Sequence, residues 1–327
     1  MKTQCLNRRQ ILALTLAGSA PALQAQTSGR PVNFIVPQPA GNPTDGMARK
    51  IQPILQKVLG QPVLVENLPG AGGSIGLAKT LAAPPGTALM IAGQTEPILT
   101  PLALSAARHK PEDFRCVGML SLCPYVLIGR PDLPARSYEE LLALSLRTGA
   151  APLSYAHIGP GSMIHLLGMK WSQLSKAPLN HVPYKGVPPV LQDLMGSQVD
   201  LSFLPLAGSL PSVLESGKVR IYGSTAASPS ARMASLPLLS KLNPSLNNFV
   251  YSAWGAVFVP NTAPSEFTKQ VHRAVIDSLE DPEFQAYLAG TGQDRGQPRA
   301  LAQLDEWYRG EVALYQKMAR DIGIERQ

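Results

Sequence analysis

Val32-Asn33-Phe34-Ile35-Val36-Pro37-Gln38-Pro39-Ala40-Gly41-Asn42-Pro43-Thr44-Asp45 is the stretch on which the reading of this chain turns. Val32–Val36 is a β-branched and aromatic run that breaks at Pro37, so it is read as a short strand. Residues 37–43 are rich in Pro, Gly and Asn and form a loop. Thr44 or Asp45 is placed to cap a helix that runs to about Leu59 and stops at Gly60, with a kink expected at Pro53. The same step then repeats. Val63–Val65 is a strand, Pro69–Gly73 a glycine-rich turn, and Ser74 caps a helix to Ala83. Leu89–Ala92 is a third strand. A β-α-β-α-β order implies a parallel sheet covered by helices.

A second set of elements begins near Tyr125–Ile128. Ser137 and Glu140 are spaced as a capping box for a helix ending near Arg147. Leu153–Tyr155 is a strand followed by a glycine loop and a helix over 162–175. Strand-like runs at 179–182, 199–203 and 219–223 alternate with a helix at 187–195. From Ser265 the chain is helical: Pro264 to about Leu279, Pro282 to Leu288, and Leu301 to about Ile322. At 327 residues the chain is long enough for two domains, each with its own core.

The N-terminus reads as a leader. Lys2, Arg8 and Arg9 precede a short apolar run to about Leu16, and small residues lead to Leu23-Gln24-Ala25. Arg8-Arg9-Gln10-Ile11-Leu12 resembles a twin-arginine export signal; an ordinary secretion signal carrying two arginines is the other reading. Cleavage is expected after Ala25. The apolar run falls well short of the ~20 residues that span a bilayer. The formal charge of +7 then becomes +4, from 26 basic against 22 acidic residues. Scattered basic residues and an aromatic content of 6% exclude a nucleic-acid footprint, while a mild positive field favours anions. Cys116 and Cys123 remain. In an exported protein they could form a disulfide, but on one extended strand their Cα atoms would be roughly 20 Å apart, so two buried free thiols are expected unless the chain turns at Gly118.

Few chemical motifs survive scrutiny. Gly72-Gly73-Ser74-Ile75-Gly76 has the spacing of a nucleophile elbow, but a loop rather than a strand leads into it, so Ser74 is read as a helix cap and a serine hydrolase is the outlying alternative. The histidines at 109, 157, 165, 181 and 272 show no i, i+4 pair and no cysteine partner, so their spacing points to no metal and His165 is read as structural. No cofactor motif is present in the sequence. Two loops stand out, Pro37–Asp45 and His157–Met163. Each follows a strand and precedes a helix start, where free N–H groups and the dipole favour an anion. Their occurrence in two separate βα halves suggests a cleft between domains.

The segment from Phe34 to Arg49 resembles the opening signature of the Bug family, the extracytoplasmic receptors of tripartite tricarboxylate transporters. Leu59-Gly60-Gln61-Pro62-Val63-Leu64-Val65-Glu66-Asn67-Leu68-Pro69-Gly70-Ala71-Gly72-Gly73-Ser74-Ile75-Gly76 is similar to the family's second signature. His181-Val182-Pro183-Tyr184-Lys185-Gly186 and Gly196-Ser197-Gln198-Val199-Asp200-Leu201 resemble two more, and Ser252–Gly255 with Val259–Pro264 the return segment. The resemblance implies an α/β, two-domain periplasmic-binding-protein-like fold of type II. Each domain would be a mixed sheet flanked by helices, with a ligand cleft crossed by two linker strands. The implied division is 26–129 with 253–327, and 130–252.

The resemblance further implies a monomeric, non-enzymatic periplasmic receptor. It would hold a small carboxylate and serve the membrane components of a transporter, or act as a sensor without one. The ligand would lie between Pro37, Gln38, Ala40, Gly41, Asn42, Thr44 and Asp45 of the first loop and His157, Gly159, Gly161, Ser162 and His165 of the second. Thr95 and Glu96 reach the rim from a third loop, Glu96 as a solvated or ligand-facing carboxylate. The chain departs from the family pattern in places. The usual Gly-Gly-Ser-Thr-Asp becomes Gly41-Asn42-Pro43-Thr44-Asp45, and Pro43 has no N–H to donate. The usual Ser-Ser-Gly-Asn-Gly-Ser-Ser-Gln-His becomes His157-Ile158-Gly159-Pro160-Gly161-Ser162-Met163-Ile164-His165. Leu204-Pro205 follows Phe203 where an Asp is common, making the far end of the pocket more apolar. Together with Glu96 these changes favour a monocarboxylate, aromatic or amine-bearing, over a tricarboxylate.

Overall fold

A computed structural model describes residues 29–229, 236–324 and 326. The leader read at residues 1–25 lies outside them. Among the described residues no helix is long and apolar enough to cross a membrane.

The first half is built from β1 (Val32–Val36), α1 (Pro43–Leu59), β2 (Val63–Asn67), α2 (Ser74–Ala82) and β3 (Ala88–Ala92). β1 lies between β2 and β3, parallel to both. β3 is buried along its whole length, as a parallel strand covered on both faces should be. α1 begins on Asn42, ends on a left-handed Gly60, and runs through Pro53 as one helix. Its apolar stripe of Met47, Ile51 and Leu55 is fully buried with Phe34 and Val36 of β1.

A 16-residue strand, β4 (Phe114–Gly129), then leaves this half. Up to Pro124 it pairs antiparallel with β9 (Ser252–Pro260); from Tyr125 it pairs with β7 (Leu201–Pro205), and from Val126 with β8 (Arg220–Ser224) as well. The second half contains α3 (Tyr138–Ser145), β5 (Leu153–His157), α4 (Met163–Ser175), β6 (Leu179–Pro183), α5 (Val187–Met195) and α6 (Leu210–Glu215). Its core holds Tyr155, Trp171 and Phe203, with Trp171 Nε1–H donating to Tyr138 Oη at 3.2 Å. The chain returns through β9, then α7 (Ser265–Glu280), α8 (Pro282–Gly290), a two-residue strand β10 (Asp294–Arg295) and α9 (Leu301–Ile322). α7 packs on α1, so both ends of the described chain complete the first half. The sheet order is β2-β1-β3-β9-β4-β7-β5-β6.

Local expectations mostly match, with instructive exceptions. The Ser137 hydroxyl caps α3 by accepting from Glu140 N–H, but Glu140 reaches back to the Arg136 amide instead of its own cap residue. Ser74 does not cap α2. Gly73, at φ +91°, takes that place, because the turn needs a backbone that only glycine adopts without strain, and Ser74 becomes the first helical residue. The strand read at Tyr125–Ile128 is the end of the longer β4. β9 escaped sequence reading as a strand. Cys116 and Cys123 are free, and burial pushes each thiol up to about 12, which leaves them unreactive.

Candidate functional site

β4 runs from the first half into the second, β9 lies beside its first part, and a cavity opens against the two strands. The period-two rule puts Ser121, Cys123 and Tyr125 on one face of β4, and all three line the cavity. Ala253, Trp254 and Gly255 of β9 line it beside them. The first half contributes Gln38, Asn42, Pro43 and Thr44, and a π-helical turn over Thr95–Leu99 sets Thr95 and Glu96 in its wall. The second half contributes Ile158, Ile164, Val187, Pro205 and Ala207.

The two halves also touch directly. Asn42 Oδ1 accepts from Val187 N–H at 3.3 Å, and Thr95 Oγ1 accepts from Met163 N–H at 3.2 Å. The cleft therefore meets the first turns of α1, α4 and α5, where helix-start N–H groups and positive dipole ends gather. Pro43 adds no donor, so the pull on an anion from α1 rests on the residues after it.

The electrostatics of the wall are dominated by one group. Among the described residues lining the cavity, Glu96 is the only one with an ionisable acid or base outside the thiol and phenol types. It is 2% exposed. Its Oε1 accepts from Gln38 Nε2–H at 2.5 Å and its Oε2 from Gly93 N–H at 3.1 Å. Burial raises its affinity for a proton; these two donors work against that and do not outweigh it. Thr44 Oγ1–H donates to Gln38 Oε1, which fixes the amide so that its N–H faces Glu96. Glu96 is thus a wall residue, where sequence placed it at the rim.

The residues singled out in the sequence divide sharply. Gln38, Asn42, Thr44, Thr95 and Glu96 line the cavity. Ala40 and Gly41 are exposed. Pro37 packs beside Gly73 and Gly76 at the start of α2, where a Cβ on Gly76 would come within 3.0 Å of it. Asp45 faces its own loop: Gly41 N–H donates to its Oδ2 at 3.0 Å and Arg49 Nη2 stands 3.0 Å from Oδ1. Although burial opposes it, the Gly41 amide and Arg49 hold this carboxyl below the usual aspartate range. Replacing Asp45 by alanine would remove the acceptor of the Gly41 amide, which water can replace at this exposed turn, so a loss of about 0.5–1.5 kcal/mol is expected, read as a lower urea midpoint.

In the second loop Ser162 accepts from His165 N–H and caps α4. Gly161, at φ +74°, packs so closely on Ala103 that a Cβ would overlap it. Gly159 also sits at positive φ, and its amide turns to His157. Leu204 is fully buried in the core opposite Val126, and Pro205 takes the cavity position instead. His157, His165 and His181, which no sequence spacing linked, come together in space. Sequence reading also missed Gln94, which donates to Tyr125 Oη at 2.8 Å and to the Ser252 carbonyl at 3.2 Å. Alternating Ser121, Cys123 and Tyr125 in an otherwise apolar run was the signal available for that face. Ser74 Oγ is buried and, among the described residues, has no hydrogen-bond partner.

The model of the tripartite tricarboxylate transporter family receptor matches residues 47–323. The chain belongs to that receptor family. A protein encoded in the TAR-I ttuE-ttuC' intergenic region of Agrobacterium vitis is 31% identical, over 99% of this chain and 94% of its own length. Among solved structures, the periplasmic binding protein BugD superposes with a TM-score of 0.82 at 27% identity, covering 91% of this chain and 99% of its own. MatC of Rhodopseudomonas palustris, with bound malate, superposes at 0.81 and 27% identity, covering 88% and 98%. This tripartite tricarboxylate transporter family receptor is thus a solute-binding protein of the Bug type, with a mixed α/β fold shared by those periplasmic proteins.

Proposed function

We propose that this receptor captures a small monocarboxylate outside the cytoplasmic membrane and passes it, as a monomer, to the membrane components of a tripartite transporter. The observation that carries the reading is the cleft across β4 and β9: three helix starts meet it, and a buried Glu96 is its one strongly acidic wall group. Helix starts attract one carboxylate, and a second would meet Glu96. Gln38, Asn42, Thr44 and Thr95 would orient the ligand, with bridging waters completing its hydrogen bonds. The malate bound by MatC supports the carboxylate class. Residues 26–129 with 253–327 would form one lobe and 130–252 the other, closing on the ligand about β4 and β9.

A thermal-shift screen of mono-, di- and tricarboxylates should give its largest stabilisation with a monocarboxylate. Solution scattering with that ligand should show a smaller radius of gyration. No shift with any carboxylate would overturn the proposal. The leader proposal is checked separately: N-terminal sequencing of exported protein should begin at Gln26 or within a few residues, and full-length protein kept in the cytoplasm would refute it.

A further inference from the structure

His157 ends β5, His165 lies in the first turn of α4, and His181 sits on β6. β5 and β6 are parallel neighbours, with Tyr155 opposite His181 and His157 opposite Pro183. That register brings His157 and His181 side by side, and the Ser162 cap turns the start of α4 back over them. One nitrogen from each ring lies within 4.8 Å of those from the other two. The ring centroids are 4.4 Å apart for His157 and His165, 5.0 Å for His165 and His181, and 5.6 Å for His157 and His181. Three imidazoles bound to one first-row ion, with M–N of about 2.0–2.1 Å, place their centroids roughly 4.5–5.3 Å apart. The centroid separations are close to these values, and the ring nitrogens, within 4.8 Å of one another, would draw in to roughly 3.3 Å to share an ion.

A stack of merely structural histidines should satisfy its ring nitrogens. His181 Nδ1 is buried and, among the described residues, has no hydrogen-bond partner, the kind of atom that an ion or a water completes. Burial pushes His157 down to about 4 and His165 to about 3, and lowers His181 as well. All three are neutral at pH 7, the form that offers a lone pair to a metal. Gly159 N–H donates to Nδ1 of His157 and Gly161 N–H to Nδ1 of His165, each at 3.2 Å, so the ring protons sit on Nε2. Binding through Nε2 would move each proton to Nδ1 and release these two long contacts, with no change in ring charge. His165 and His181 belong to stretches that resemble family signatures.

We propose that His157, His165 and His181 form a site for a divalent transition-metal ion of the zinc, nickel and copper class, with the remaining coordination positions open to water. Imidazoles suit such ions; the absence of oxygen ligands from the cluster disfavours magnesium and calcium. The site stands directly behind the cleft wall, since Ile158 and Ile164, the chain neighbours of His157 and His165, line the cavity. It does not depend on the identity of the cleft ligand.

Tag-free mature protein, stripped with EDTA and dialysed, would be titrated calorimetrically with Zn²⁺, Ni²⁺ and Mg²⁺. One Zn²⁺ per chain is expected, saturating at micromolar metal, with no saturable Mg²⁺ binding. His157→Ser and His181→Gln should each weaken Zn²⁺ by roughly tenfold or more. Both replacements are smaller or similar in size and uncharged, and circular dichroism verifies that each variant folds. Wild-type protein without saturable Zn²⁺ binding, or unchanged affinity in both folded variants, overturns the proposal. Should either variant fail to fold, the zinc-edge X-ray absorption spectrum of the wild type decides. A shell with three imidazole nitrogens at about 2.0–2.1 Å supports the site, and an all-oxygen shell overturns it.

Discussion

Glu96→Gln should raise affinity for a dicarboxylate such as malate by roughly fivefold to nearly a thousandfold while changing monocarboxylate affinity little. The wild-type side chain is 2% exposed and faces a cavity whose lining among the described residues includes no lysine, arginine or histidine. A ligand dianion there either meets an ionised Glu96 or must keep it protonated. Like charges at such range and intermediate dielectric cost on the order of 1–4 kcal/mol, which sets the expected range. Glutamine has the same shape and removes the charge. Its carbonyl oxygen can accept from Gly93 N–H, and its amide can donate to Gln38 once that side chain turns over. Calorimetric titration of both proteins with malate, citrate and a small aromatic acid measures the effect. Tight citrate binding by the wild type, unchanged by the substitution, would show that Glu96 does not set specificity.

The second large effect is acid lability. Burial pushes His157 down to about 4 and His165 to about 3, and lowers His109 and His181, while unfolded histidines titrate near 6.5. Below pH 6.5 the unfolded chain takes up protons that the folded chain refuses, so stability falls as pH drops toward 4 and is recovered above 6.5. Each protonation so delayed contributes about 1.4 kcal/mol per pH unit, and the cluster should lose several kcal/mol by pH 4. Asp45 and Asp200 have depressed folded values, so their stabilising contributions fade only as pH falls below about 3.8. Glu96 and Glu311, pushed up by burial, act oppositely. Their contribution is full below about 4.5 and is lost as pH rises through their folded values, which offsets part of the histidine loss. The double variant His157→Ser, His165→Gln isolates the histidines, because the acids are common to both proteins. Urea unfolding in EDTA at pH 4.5, 5.5 and 7 should give a steep decline for the wild type and a much flatter one for the variant. Parallel profiles would mean that these rings titrate normally.

Much of this molecule is written in short-range signals. A β-branched run ending at Pro37, a glycine stop at Gly60, the Ser162 and Ser137 caps and the helix at Val187–Met195 depend on a few neighbouring residues, so sequence shows them directly. The two βα loops and the anion-favouring helix starts were legible for the same reason. Which loop residues face the cavity was not: Asp45 turns inward to hold Gly41, and Ser162 is spent on its own helix, since a polar side chain near a free backbone N–H satisfies that group first. Glu96 was visible as a lone acid, but its burial came from the π-helical turn and from Gln38, 58 residues earlier.

Sequence by itself determined most of the helices and short strands, the family and the two loops, because strand and helix periods, caps and turn residues act within one or two turns of chain. Tertiary structure alone decided the rest. The pairing of β4 with β9 over more than a hundred residues built the cleft floor. The register of β5 on β6, with α4 folded across them, assembled three histidines that share no sequence spacing. Contacts between residues far apart in the chain depend on how sheets align and helices dock, and no local pattern records that alignment.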